Sequence, residues 1–213
     1  MEELDLLKKD WKKNENSFKQ ISENEIYKMI HQNSSSVVRW ILIIGIIEFI
    51  LMTTLGFFTA DDNYFVMLKK YHIDTFMSIL TNANYVVVIC FIFLFYKNFK
   101  NISTTDSARK LMKNILKTRK TVQYYVWYNL GMFAIIFFVV LLSTCYYDER
   151  MSTMLHEIGQ KDNAIWIWTI IVGLTLGMFA GMFAIFWLFY KLVYGFLLRK
   201  LYKNYQELKK IDL

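Results

Sequence analysis

The sequence contains no proline and only two cysteines among its 213 residues. Without proline, nothing forces the broken helices that many transporters use to build a site at the membrane midplane. Cys90 and Cys145 lie near opposite ends of two different apolar segments, so at 1.5 Å per residue their depths differ by roughly 20 Å. That separation excludes a disulfide bond between them. We therefore expect continuous helices and two free thiols.

Charged residues are nearly absent from four long segments of the chain. These segments are 37–60, 75–96, 121–147 and 163–190. Each reaches the about 20 apolar residues that a helix needs to cross a hydrocarbon core of about 30 Å. Only the first segment contains charged side chains, Arg39 and Glu48. The sequence therefore predicts an all-α membrane bundle of four transmembrane helices over 37–213, preceded by a helical cytoplasmic arm over 1–36.

The distribution of Lys and Arg predicts the orientation of these segments. The stretch before the first segment, the loop 97–120 and the tail 191–213 contain six, eight and six of them, whereas the other two loops contain two each. Cytoplasmic loops of membrane proteins carry such an excess. We expect a multi-pass inner-membrane protein with both termini in the cytoplasm and the lipid bilayer as its first partner. The net charge of +7 then reflects topology, and we expect no nucleic-acid binding.

The N-terminal arm has the pattern of an amphipathic helix. Leu4, Leu7 and Trp11 recur at helical spacing, and lysines occupy the remaining face. These three side chains are candidates for binding a cytoplasmic protein partner, although they could equally pack on the membrane surface or on a loop helix of the same chain. A second helix is predicted to begin at Ser22, because Ser22 and Glu25 have the spacing of a capping box. This helix either continues into the first apolar segment or breaks at the serines before it.

Two stretches of the N-terminal region carry a family resemblance. They are "EELDLLKKDWKKN" at residues 2–14 and "SENEIYKMIHQNSSSVVRWI" at residues 22–41. Their pattern resembles that of small four-span inner-membrane proteins of Bacteroidota, whose genes often lie beside those of sigma-70-like factors. Some of these proteins resemble membrane-bound anti-sigma partners in layout. The resemblance implies a membrane-bound regulator that binds a cytoplasmic partner through its N-terminal arm.

The basic loop is predicted to contain a helix that begins at Ser103, with Asp106 three residues on, and continues into the third segment. The apolar residues of this helix fall on one face and its Lys and Arg residues on the other, and the C-terminal tail has a similar pattern. A basic face beside a membrane suits anionic lipid headgroups. A solvated face that only fixes the topology would give the same pattern.

Glu48 is the unusual residue of the first segment. It lies nine residues beyond Arg39, and Asn129 lies nine residues beyond Lys120, so both polar groups are expected roughly 13 Å inside the same boundary. We predict a hydrogen-bonded contact between Glu48 and Asn129, with Glu48 neutral, worth about 1 kcal/mol. The alternative is a small transporter or channel with Glu48 on its conduction path, which a water-filled cavity at Glu48 would favour.

Three glycines of the fourth segment have the spacing of a helix-packing motif. Gly173, Gly177 and Gly181 recur every four residues, which places them on one side of a helix and lets another helix approach closely. The partner is either another helix of the same chain or a second copy in a homo-oligomer. We favour the same chain, because a four-helix bundle needs such contacts in any case.

Motifs for catalysis and for metal or cofactor binding are scarce. Of the three histidines, His31 is expected in the cytoplasm and His72 and His156 in the outer loops. The latter two could hold a metal with Asp74 or Glu157, but isolated loop histidines are usually surface residues. The sequence has no Gly-rich phosphate loop, CxxC or HExxH motif. We therefore predict a protein that is not an enzyme and has no cofactor or metal.

Overall fold

The computed structural model of the protein describes residues 22–105, 107–160 and 163–211, which form six helices and no strand. The helices are α1 (Glu23–Thr59), α2 (Asp62–Lys70), α3 (Asp74–Ser103), α4 (Ala108–Tyr147), α5 (Glu149–Gly159) and α6 (Ala164–Ile211). Four of them, α1, α3, α4 and α6, are long and apolar enough to cross a membrane. The predicted all-α bundle of four long helices is confirmed.

The four long helices form an up-and-down bundle. Along its perimeter α1 packs on α3, α3 on α4, α4 on α6 and α6 on α1. The start of α1, the turn between α3 and α4 and the end of α6 meet at one end, which we call the terminal end. There the hydroxyl of Tyr27 donates to the carbonyl of Thr105 (3.2 Å), and Asn33 donates to the side-chain oxygen of Asn204 (3.2 Å). The short helices α2 and α5 connect the long ones at the opposite end, the loop end.

The long helices extend well beyond the predicted spans at the terminal end. The predicted capping box is confirmed, because the Ser22 hydroxyl accepts from the amide of Glu25 and the Glu25 carboxylate accepts from the amide of Ser22. From there α1 continues without a break through the serines and across residue 36, the predicted limit of the arm. Helix α6 has 48 residues, which at 1.5 Å each make roughly 72 Å. This is more than twice the thickness of a hydrocarbon core.

The structure corrects the predicted start of the helix in the basic loop 97–120. Ser103 is the last residue of α3, and its hydroxyl donates to the carbonyl of Lys100. The next helix, α4, is capped instead by Ser107, whose hydroxyl accepts from the amide of Lys110. The predicted continuation of this helix into the third segment is confirmed, since α4 runs unbroken for 40 residues. Helices α2 and α5 were not predicted, although the carboxylates of Asp61 and Asp148 cap them.

The buried core is concentrated between the terminal end and the middle of the bundle. We call this part the terminal half and the remainder the loop half. The terminal half comprises residues 23–48, 88–103, 108–129 and 190–211 of the four long helices. Its fully buried side chains come from all four, including Val38, Phe95, Leu111, Ile115, Tyr194, Leu201 and Leu208. In α6, every buried residue lies at or after Tyr190, that is, in the terminal half. The loop half has a smaller buried cluster of Leu68, Ile73 and Met77.

The glycine motif of α6 does not pack within the chain. Gly173, Gly177 and Gly181 are exposed, and a Cβ added to any of them would meet no atom within 4 Å. The prediction of a close approach by a neighbouring helix of the same chain is therefore wrong, because the motif faces away from the bundle. Contact with a second copy stays a prediction. Close approach occurs instead at Gly45 of α1, where an added Cβ would lie 3.3 Å from the ring of Phe95.

The arm residues Leu4, Leu7 and Trp11 lie outside the described residues.

Candidate functional site

Two tyrosines of α6 bind the carboxylate of Glu48. The hydroxyl of Tyr190 donates to Oε1 (2.6 Å) and that of Tyr194 to Oε2 (2.9 Å), and the hydroxyl of Tyr125 on α4 is a further donor to this carboxylate. The predicted partner is therefore wrong, because the side-chain amide of Asn129 donates to the carbonyl of Tyr125 (2.8 Å) on its own helix. The two tyrosines lie four residues apart and thus on one side of α6, where they form a pair of donors.

The close approach of α1 to α3 depends on Gly45, which lies one turn before Glu48. A Cβ at this position would lie 3.3 Å from two ring atoms of Phe95 and 4.0 Å from the hydroxyl oxygen of Tyr194. Because glycine has no side chain, the backbone of α1 can lie against both aromatic rings. This contact with α3 fixes the position of α1 one turn before Glu48, whose carboxylate oxygens accept from the tyrosines of α6.

Aromatic rings enclose the tyrosine side of the site. Tyr125 of α4 is 2% exposed, and its ring meets those of Tyr190, Tyr194 and Phe95 edge to face at centroid distances of 6.5, 5.9 and 5.4 Å. Edge-to-face pairs of this kind are the favoured geometry of buried aromatic side chains. The rings of three helices therefore fix the two hydroxyl groups in place and keep water from this side of Glu48.

A small polar cavity lies on the other side of Glu48, between α1, α3 and α4. Its volume is about 50 Å³. Its lining consists of Glu48, Phe49, Met52, Thr53, Asn84, Tyr85, Val88, Tyr125 and Asn129. Glu48 and Asn129 thus line one cavity without the hydrogen bond predicted between them. A water needs roughly 10–15 Å³ of such space and an organic ligand several hundred. The cavity can hold a few waters or a small ion, and it is too small for an organic substrate.

Thr53 and Asn84 each contribute a side-chain oxygen atom to the residues that line the cavity. The hydroxyl oxygen of Thr53 is buried and has no hydrogen-bond partner among the described residues. The side-chain oxygen of Asn84 accepts a hydrogen bond from the hydroxyl of Tyr128 (3.1 Å), which fixes the orientation of that amide. Because an unpaired buried hydroxyl costs about 1–3 kcal/mol, Thr53 is a site where a water or an ion would be stabilised.

The sequence interpretation found Glu48 and Asn129 but missed the other members of the site. Tyr190 and Tyr194 carry a usable signal, which is a pair of hydroxyl groups at helical spacing beside an acid-containing span. Thr53 and Asn84 carry none, since single Thr and Asn residues are common in membrane helices.

Among the described residues, the loop end contains no comparable site. His72 packs against the ring of Tyr147 (4.9 Å), and His156 lies 3.5 Å from the side-chain amide of Gln160. Within the three described ranges, no three His, Cys, Asp or Glu residues lie close enough to hold a metal ion. Cys90 and Cys145 are both free thiols.

A polar cluster around Asp148 joins α2 to the corner between α4 and α5. Oδ2 of Asp148 accepts from the ammonium of Lys70 (3.1 Å) and the hydroxyl of Tyr71 (3.0 Å), while Oδ1 accepts from backbone amides that begin α5, including that of Met151. These hydrogen bonds, the one from Lys70 first, lower the pKa of Asp148 to about 2. The same contacts raise the pKa values of Lys70 and Tyr71.

The chain belongs to the family described as domain of unknown function DUF8845, whose model matches residues 24–213. The match includes every residue of the Glu48 site and begins after Leu4, Leu7 and Trp11. No curated protein and no solved structure matches the chain. The function must therefore be argued from the geometry.

Proposed function

We propose that this chain is a non-enzymatic inner-membrane protein that binds a cytoplasmic partner protein at the terminal end of its bundle. The observation that carries this proposal is the continuation of the four helices, as a packed bundle, beyond the predicted spans. The continuation occurs at the end where the sequence concentrates its Lys and Arg residues, so the positive-inside rule assigns that end to the cytoplasm.

The continued bundle has its own core and its own polar contacts. Ile115 of α4 and Leu208 of α6 are fully buried there. Asn204, 2% exposed, donates to the hydroxyl of Ser34 (2.9 Å) and accepts from Asn33 (3.2 Å). A buried amide that joins two helices fixes their relative position more strictly than apolar contacts do. The terminal end therefore provides a rigid surface.

The surface of this region is basic. The exposed cations on α4 and α6 are Arg109, Lys110, Lys113, Lys117, Lys120, Lys191, Arg199, Lys200, Lys203, Lys209 and Lys210. A rigid surface of one charge favours a partner with an acidic face and accelerates its association. We propose that the arm, which joins α1 at Ser22, adds the apolar contacts of Leu4, Leu7 and Trp11.

Site-specific photocrosslinking in cells tests this proposal. A photoreactive residue at Lys113, on the basic surface, is expected to form an adduct with one discrete protein. The same residue at Phe57, exposed in the loop half, is expected to give no such adduct. Replacing Leu4, Leu7 and Trp11 together by Ala should remove the adduct without lowering the melting temperature. An adduct that is equally strong from both positions, or that survives the triple replacement, would refute this mode of binding.

The orientation can be tested separately by labelling cysteines from outside the cell. In a background that lacks Cys90 and Cys145, a cysteine at Asn63 or Ser152 should react with an impermeant reagent, and one at Ser17 should not. A cysteine at Lys203, whose side chain is 77% exposed, provides a second internal position and should not react either. Labelling at Ser17 or Lys203 from outside would reverse the topology.

The cavity beside Glu48 favours a second candidate function, a small transporter or channel with Glu48 on its path. A carboxylate next to a polar cavity within a span is the usual feature of ion and proton pathways. The decisive variant is Glu48→Gln, which keeps the shape of the side chain and one of its two acceptor oxygens but carries no charge. If this variant melts like the parent but loses the parent's phenotype in cells, transport becomes the leading function. If it keeps the phenotype, Glu48 has a structural role.

A further inference from the structure

We propose that the cavity beside Glu48 is a binding site for one monovalent metal cation of the size of Na⁺. This inference goes beyond partner binding at the terminal end and does not depend on it. It rests on the charge of the site, on the oxygen atoms that remain free to bind an ion, and on the volume of the cavity.

Glu48 is the acidic group that would balance the charge of a cation in this cavity. Both of its oxygens accept from tyrosine hydroxyl groups, that of Tyr190 at 2.6 Å and that of Tyr194 at 2.9 Å. The side chains that face Glu48 from the neighbouring helices are all uncharged. They are Asn84, Tyr85 and Val88 of α3, Tyr125 and Asn129 of α4, and Tyr190 and Tyr194 of α6. An ionised Glu48 therefore needs a positive charge that these residues do not supply.

Oxygen atoms that can bind a cation line the cavity from two helices, α1 and α4. A carboxylate has about four lone-pair positions. Tyr190 and Tyr194 use two of them and the hydroxyl of Tyr125 is a third donor, which leaves one position for an ion. The Thr53 hydroxyl oxygen lacks a hydrogen-bond partner among the described residues. The amide nitrogen of Asn129 is bound to the carbonyl of Tyr125, which leaves its side-chain oxygen as an acceptor. Hydroxyl, amide and carboxylate oxygens together form a hard ligand set, which suits a hard cation such as Na⁺.

The volume and the single carboxylate restrict the ion. About 50 Å³ holds a metal ion with one or two waters but no organic cation. One carboxylate balances one positive charge, whereas Ca²⁺ takes six to eight oxygens and its protein sites supply several carboxylates. A divalent ion would leave an uncompensated positive charge among apolar helices. The site therefore fits a monovalent cation.

Thermal unfolding of the purified full-length protein in detergent provides the test. The pH and the ionic strength are held constant while NaCl replaces N-methylglucamine chloride. Because an ion that binds only the folded protein stabilises it by mass action, the melting temperature should rise with Na⁺ concentration and then level off. The midpoint of that rise gives the apparent affinity.

Three variants separate this site from general salt effects. Glu48→Gln should abolish the saturable rise, and Thr53→Val should shift its midpoint to higher Na⁺ concentration. Thr54→Val is the matched control, because the Thr54 hydroxyl is exposed and donates to the carbonyl of Ile50 on its own helix (2.7 Å). This control should keep the parent's response. Should Glu48→Gln fail to fold, direct binding of radioactive Na⁺ to the parent and to Thr53→Val still decides the matter.

Two results would overturn the inference. A parent whose melting temperature does not respond to Na⁺ shows that the cavity holds only water or that a proton neutralises Glu48. An unchanged response in Glu48→Gln shows that Na⁺ binds elsewhere. Neither result bears on partner binding at the terminal end, which the crosslinking experiment tests separately.

Discussion

The terminal half and the loop half of this bundle use the same four helices but pack them differently. In the terminal half, side chains from all four meet in a continuous buried core. In the loop half, α4 and α6 touch mainly through phenylalanines, such as Phe133 with Phe186 (4.8 Å) and Phe137 with Phe179 (5.0 Å). Beside these rings lies an apolar cavity of about 450 Å³.

The surroundings of the helices account for part of the difference, because the terminal half also includes residues 37–48, 88–96 and 121–129 of the predicted spans. Where the helices extend past the apolar spans, water surrounds them and burial of apolar side chains drives the packing. Within lipid this driving force between helices vanishes, so side chains can face outward without cost. Glu48 lies where the two halves meet, because its partner Tyr190 is the first buried residue of α6. The carboxylate site is thus held by the tightly packed half and adjoins the looser one.

The largest expected contrast is between truncations of buried and exposed side chains. Ile115 in the terminal half is fully buried, and Ile115→Ala should lower the free energy of unfolding by about 2–5 kcal/mol. Leu174 in the loop half is 70% exposed, and Leu174→Ala should change it by less than about 0.5 kcal/mol. Thermal unfolding of both variants in one detergent measures the contrast. Equal losses of stability would mean that the two halves are packed to the same density.

The next contrast concerns polar contacts. Asn204→Leu removes the hydrogen bonds with Asn33 and Ser34 and leaves the fully buried Ser34 hydroxyl without its donor, which should cost about 1–3 kcal/mol. Adding Ser34→Ala should recover part of this loss. In the loop half, Thr169→Val should have little effect, because the exposed Thr169 hydroxyl donates only to the carbonyl of Ile165 on its own helix. Without recovery in the double variant, the bond to Ser34 would not be the source of the stability.

A pair of glycine substitutions should give effects of opposite sign. Gly45→Ala forces its Cβ against Phe95, which is itself fully buried and cannot move, so we expect a loss of about 1 kcal/mol. Gly177→Ala meets no neighbouring atom, and the better helix propensity of Ala should stabilise α6 by about 0–1 kcal/mol. Melting temperatures of the two variants test this. If Gly177→Ala is destabilising, the glycine motif contacts a second copy of the chain.

The sequence predicted the helices far better than their contacts. Length and hydropathy located the four spans, and the capping box located the start of α1, because these signals are local. The partners of Glu48 depend on how each helix is rotated about its axis, which depth alone does not determine. The sequence prediction paired Glu48 with Asn129 because the two residues have the same expected depth. In the structure, the rotation of α6 about its axis brings Tyr190 and Tyr194 to Glu48 instead. Likewise, the spacing of Gly173, Gly177 and Gly181 indicated a smooth helix face but not its neighbour.

The smallest expected effect comes from the loop end, where hydrogen bonds from Lys70 and Tyr71 lower the pKa of Asp148 to about 2. An ordinary aspartate has a pKa of about 3.9, so on acidification the unfolded chain takes up a proton before the folded one does. The contribution of Asp148 is therefore complete above about pH 4 and is lost as the pH falls toward 2. The effect should be slight, because the Lys70 side chain is 52% exposed and water and salt weaken the pair. Melting temperatures between pH 2 and 5 should fall less steeply for Lys70→Met than for the parent. If both curves coincide, the hydrogen bond from Lys70 contributes nothing to the acid stability of the loop end.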